Sequence, residues 1–122
     1  MASRAVIFGC LGTALSAGEI AFFRDADPWG FILFARNIET PQQVLALTAQ
    51  LRDTVGRADA PILIDQEGGR VARLKPPHWR VAPPAAVFGK LYSRNPADAI
   101  EACFLNARLL ADELITLGVT VD

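Results

Sequence analysis

The feature that most narrows the fold is an alternation. Short, continuously apolar runs of strand length recur along the chain, and helix-start patterns stand between them. The first run centres on Val6-Ile7-Phe8, in a stretch from Ala5 to Cys10 that Gly12 ends. The second runs from Trp29 to Ala35, the third from Pro61 to Asp65, and Val119 to Asp122 begins a fourth. Ser16-Ala17-Gly18-Glu19 is a capping-box pattern whose helix runs out near Asp27-Pro28. Thr40-Pro41-Gln42-Gln43 opens a second helix, with Val44, Leu47, Thr48, Leu51 and Val55 as its stripe and Gly56 as its stop. Asn95-Pro96-Ala97-Asp98 opens a third, with Ile100, Cys103, Phe104, Ala107, Leu110, Ala111 and Leu114 as its apolar face and Gly118 as its stop. Residues 66–94 read as one long irregular stretch, the kind of segment that in a compact domain is functional or disordered.

The resulting order, β-α-β-α-β-loop-α-β, predicts an α/β fold with a parallel sheet, because strands covered on both faces read as continuous apolar runs. The fourth strand has no helix to follow it. Four such strands either close with further chain or pair with another copy, since an uncovered edge leaves backbone groups unpaired.

Composition removes several classes. The 122 residues carry 12 Lys plus Arg against 13 Asp plus Glu, so there is no cationic footprint for nucleic acid. A chain that is 52% hydrophobic is not a disordered one. No apolar run reaches the length of a membrane span. The segment from Arg4 to Leu15 also fits a short signal peptide, although Gly9 and Gly12 interrupt it. Cys10 and Cys103 lie in apolar stretches without a C-x-x-C spacing, so they read as small buried hydrophobes and not as metal or redox ligands.

In parallel α/β architectures function gathers at the carboxyl ends of the strands. The first end, Gly9-Cys10, carries no chemistry, and the second, Ala35-Arg36-Asn37, offers a cation and an amide. The third is the dense one: Asp65-Gln66-Glu67-Gly68-Gly69-Arg70-Val71-Ala72-Arg73. Three readings stay open there. Asp65 and Glu67 form an acid/base pair of the glycosidase kind; the Gly68-Gly69 turn with its arginines cradles a phosphate; or the charges are an ion-pair network that pins the loop.

The strings Trp29 to Asn37 and Ile64 to Arg73 together resemble the N-terminal part of a bacterial β-N-acetylhexosaminidase of glycoside hydrolase family three. The resemblance runs over essentially the whole chain and covers about the first third of such an enzyme. It implies a (β/α)₈ TIM-type barrel, of which residues 1–122 are an incomplete N-terminal part supplying three βα units and the fourth strand. It implies a retaining exo-β-N-acetylglucosaminidase acting on terminal β-linked N-acetylglucosamine of cell-wall muropeptides in the cytoplasm. Neither metal nor organic cofactor is implied, and no nucleic-acid or membrane partner.

The same resemblance assigns substrate binding to Asp65 and Arg73, and support of the loop to Glu67, Gly68, Gly69 and Arg70. It implies no catalytic residue within the chain, because the family's aspartate nucleophile and loop histidine lie further downstream. The fragment alone is thus expected to be inactive. His78, in Pro76-Pro77-His78-Trp79, is misplaced for that histidine and reads as a loop hydrogen-bonder. Trp79 and Phe88 read as loop anchors. A non-catalytic relic or sugar-binding fragment is the alternative.

Overall fold

The computed structural model describes residues 2–122. Three parallel strands form its sheet: β1 (Arg4–Phe8), β2 (Pro28–Leu33) and β3 (Ile62–Ile64), in the order β1-β2-β3. Phe8 pairs with Phe31, and Phe31 with Ile62, so sequential strands lie side by side. The stretch that also fitted a signal peptide supplies β1. Helix α1 (Ala17–Ala26) carries the chain from β1 to β2, and α2 (Pro41–Val55) from β2 to β3.

Both helices begin where the sequence places them. Ser16 accepts from the Glu19 amide while Glu19 reaches back to Ser16, and Thr40 accepts from the Gln43 amide, with Pro41 in the first turn. Phe23, Phe31, Leu33, Val44, Leu47, Leu51, Ile62 and Ile64 make the core between helices and sheet. No described helix is long and apolar enough to cross a membrane.

The fourth run arrives as a single parallel bridge, Leu63 to Val121, rather than a full strand. Thr120 and Val121 donate to Ile62 O, and Ile64 donates to Val121 O. Thr48, buried on α2, donates its hydroxyl to Leu117 O at 2.7 Å and so seats the turn that leads into this edge.

The stretch 66–94 is more ordered than its sequence indicates. It holds a two-stranded antiparallel hairpin, β4 (Gln66–Gly68) and β5 (Val71–Ala72), and a helix, α3 (Ala85–Tyr92). The turn needs its glycines. Gly68 has φ 94° and Gly69 φ 60°. A Cβ on Gly68 would sit 2.4 Å from Pro83 O, and one on Gly69 2.6 Å from the Pro84 side chain.

Helix α4 (Pro96–Ile115) corrects two expectations. Cys103 is exposed, not buried, and Ile100 and Phe104 on the expected apolar face are exposed as well. Only Ala99, Leu110 and Leu114 of α4 are buried; Ala107 and Ala111, also expected on the apolar face, are exposed, and the helix packs against the short α3.

Two outcomes follow from this packing. Burial pushes the Cys10 thiol up to about 11, with the nearby Glu19 carboxylate adding to the rise, whereas Cys103 faces solvent. Titration with an aromatic disulfide near neutral pH should modify one thiol in the native protein and two after denaturation, and Cys103→Ser should abolish the native reaction. Gly68→Ala should destabilise by roughly 1–3 kcal/mol, the cost of a side chain held in a left-handed conformation, and more if Pro83 does not yield. Chemical denaturation monitored by circular dichroism measures it.

Candidate functional site

Strand β3 is apolar, with Ile62 and Ile64 buried and Leu63 half-buried, and Asp65 follows directly at its carboxyl end, half-buried. Its Oδ2 lies 2.8 Å from a terminal nitrogen of Arg73, the residue that follows β5. The two side chains keep 41% and 28% of their exposure, so the pair is open on one side. The Arg73 guanidinium carbon is also 6.0 Å from the Phe34 ring centroid, and that of Arg36 is 4.7 Å from the same ring. Two cations and an aromatic ring from the second and third strand ends therefore meet in one place.

Two buried carboxamides build the ground beneath them. Asn37, in the 3-10 turn Ala35–Asn37 after β2, is fully buried. It donates to Cys10 O and Gly12 O at 3.0 and 2.8 Å and accepts from the Phe34 amide at 2.8 Å. The loop after β1 is thereby tied to the end of β2, and Arg36 adds a bond from Nε to Cys10 O. Gln66 does the same at the third end. Its Oε1 accepts from the Arg73 and Leu74 amides at 2.8 and 2.9 Å, and its Nε2 donates to Leu74 O at 3.1 Å. The Gln66 amide itself donates to Asp122 Oδ1 at 2.8 Å. The amides at the second and third strand ends are visible in the sequence, but neither Asn37 nor Gln66 is assigned a task from it. The available signal is the position of each amide directly after an apolar run.

Of the residues singled out from sequence, Asp65 and Arg73 are together. Glu67 and Arg70 are exposed and join no ion pair among the described residues. The constellation at the third strand end is a carboxylate with a guanidinium, not two carboxylates. The Gly68-Gly69 turn is covered by residues 82–84, and the Gly69 amide already donates to Ala82 O at 2.8 Å, so the turn presents no open cradle for phosphate. Beyond Arg73 the loop is anchored by buried Leu74, by Trp79 packed on the core, and by an Arg80–Glu113 ion pair at 3.0 Å that reaches α4. His78 is exposed and lies edge-on to Trp79, and it makes no hydrogen bond among the described residues, against the expectation of a loop hydrogen-bonder. Phe88 on α3 packs instead toward α4, beside Ala99 and Cys103. The described residues hold no cluster of His, Cys, Asp and Glu fit for a metal.

No protein-family model matches the chain. Among curated proteins, a β-hexosaminidase of Xylella fastidiosa (strain 9a5c) is 39% identical over 119 residues, covering 96% of this chain and 34% of that protein. A β-hexosaminidase of Xanthomonas campestris pv. campestris (strain B100) is 36% identical over 117 residues, with 35% of its length covered. The chain thus spans about a third of the curated relatives it matches. Among solved structures, NagZ from Neisseria gonorrhoeae in complex with N-trifluoroacetyl-D-glucosamine superposes with a TM-score of 0.88 at 28% identity, over 96% of this chain and 34% of that one. A glycoside hydrolase family 3 β-N-acetylglucosaminidase from Paenibacillus sp. gives 0.79 at 29% identity, over 97% and 22%. In sequence and in backbone, this chain therefore aligns with a segment of the β-hexosaminidases of glycoside hydrolase family 3.

Proposed function

We propose that residues 1–122 are the N-terminal part of the catalytic domain of a retaining exo-β-N-acetylglucosaminidase, and that Asp65 and Arg73 hold its sugar. The carrying observation is the half-open Asp65–Arg73 pair at the carboxyl end of β3. A carboxylate accepts hydrogen bonds only and a guanidinium donates only, so together they match a hydroxyl-rich ring that does both. In this reading the parallel strands are the first of a (β/α)₈ barrel, where substrate sits over the carboxyl ends. The relatives named β-hexosaminidase and the neighbour solved with an N-acylated glucosamine support the substrate class.

The fuller substrate is a muropeptide ending in β-linked N-acetylglucosamine, cleaved in the cytoplasm without metal or organic cofactor. Nucleophile and acid/base come from chain beyond this segment, which supplies no catalytic residue. Gly68 and Gly69 shape the loop that carries Arg73, with Glu67 and Arg70 in supporting positions on its outside.

The test uses the chain completed by its downstream coding sequence and a chromogenic N-acetylglucosaminide. A hydrogen bond to a charged group contributes about 1.5–3 kcal/mol, or roughly 10- to 150-fold at 1.4 kcal/mol per decade. Asp65→Ala should therefore lower kcat/KM at least about tenfold. Asp65→Asn should lose less, since the amide oxygen still accepts, and Glu67→Gln should cost little. Circular dichroism must stay unchanged for these losses to count. A large Glu67→Gln defect beside a mild Asp65→Ala defect would reverse the assignment and make Glu67 the working carboxylate. The 122-residue segment by itself should give no turnover above a buffer blank. Sugar binding without turnover in the completed chain would select the non-catalytic alternative.

A further inference from the structure

We propose that Gln66 is the positioning residue of this mouth, holding the Arg73 main chain, and through it the guanidinium, opposite Asp65. The inference rests on the sugar-site reading above and adds the residue that sets its geometry. The β4–β5 ladder pairs Gln66 with Ala72 and extends no further, so Arg73 lies one residue past the last backbone pairing. From there the Gln66 side chain takes over. It is 1% exposed, and its carboxamide engages the Arg73 amide, the Leu74 amide and the Leu74 carbonyl. Turning the amide over would set its NH₂ against two N–H donors and its oxygen against a carbonyl, so one orientation alone satisfies the site. Residue 66 is itself fixed from the neighbouring edge, because its N–H donates to Asp122 Oδ1. Asp65 is covalently next to Gln66, and Arg73 is hydrogen-bonded to it. A single buried residue thus sets the spacing of carboxylate and cation.

Two variants of the completed enzyme test this. Gln66→Met keeps length and removes the carboxamide; Gln66→Glu keeps an acceptor for the two amides and loses the donor. Hydrogen exchange at the Arg73 and Leu74 amides is measured together with kcat and KM, each in the parent and in an Arg73→Ala background. Gln66→Met should speed exchange at both amides and lower kcat/KM by ~10-fold, the scale of one lost hydrogen bond to a charged group. In the Arg73→Ala background it should cost almost nothing more, because residues acting through one another are not additive. Gln66→Glu should fall between parent and Gln66→Met, and where Gln66→Met does not fold it decides by the same criterion. An equal loss in both backgrounds, or faster exchange with unchanged kinetics, overturns the proposal. A parent enzyme that neither binds nor cleaves the sugar overturns the sugar-site reading instead. The exchange data then still report whether Gln66 holds Arg73.

Discussion

A parallel strand delivers its last residue to the sheet's carboxyl edge, but its backbone bonds end there, and the loop that follows must be held by something else. In this chain the holding is done by primary carboxamides buried directly behind the mouth. Asn37 ties the loop after β1 to the end of β2, and Gln66 ties the loop after β5 to the end of β3. A carboxamide suits the task because it donates and accepts at once and carries no charge, so burying it does not incur the desolvation that a carboxylate or ammonium would. Left without partners the same group would be costly, and in each of the two both the oxygen and the nitrogen are engaged by main chain.

The parts of the fold that were legible in the sequence are those decided locally. Ser16, Thr40 and Asn95 cap helices because a short polar side chain satisfies an orphan amide whatever the rest of the molecule does. The apolar runs at Val6, Phe31 and Ile62 form strands as their continuity indicates, but β1 lies at the sheet edge and is not buried, with Ile7 40% exposed. What was illegible depends on partners far along the chain or on their absence. Helix α3 opens after Pro84 with no side-chain cap, so its start gives no signal. The β4–β5 hairpin is set by glycines at positive φ and by Gln66 reaching eight residues ahead. On α4, periodicity marks a stripe but does not say which of its members the core reaches. Ile100, Cys103, Phe104, Ala107 and Ala111 share that stripe with Leu110 and Leu114 yet are exposed.

The candidate site divides in the same way. Asp65 and Arg73 stand out as charges after an apolar strand, and they meet. Glu67 and Gly68-Gly69 stand out equally, but alternation along β4 turns Glu67 to solvent while Gln66 on one side and Gly68 on the other face inward. Charge attracts the eye in a sequence, whereas here the neutral neighbour has the structural task.

That division also decides how the mouth can work. An ion pair that keeps roughly a third of its exposure contributes little to stability, of order 0–1 kcal/mol, because water competes for both partners. In the proposed sugar-site reading, a ligand's hydroxyls can therefore replace the Asp65–Arg73 contact without a large loss. The bonds of Gln66 are buried and cannot be exchanged so freely. In the same sugar-site reading, a front that opens readily and a back that resists deformation keep donors and acceptors in place while the ligand comes and goes. In that reading the arrangement favours recognition by fixed geometry over recognition by loop closure at this particular strand end.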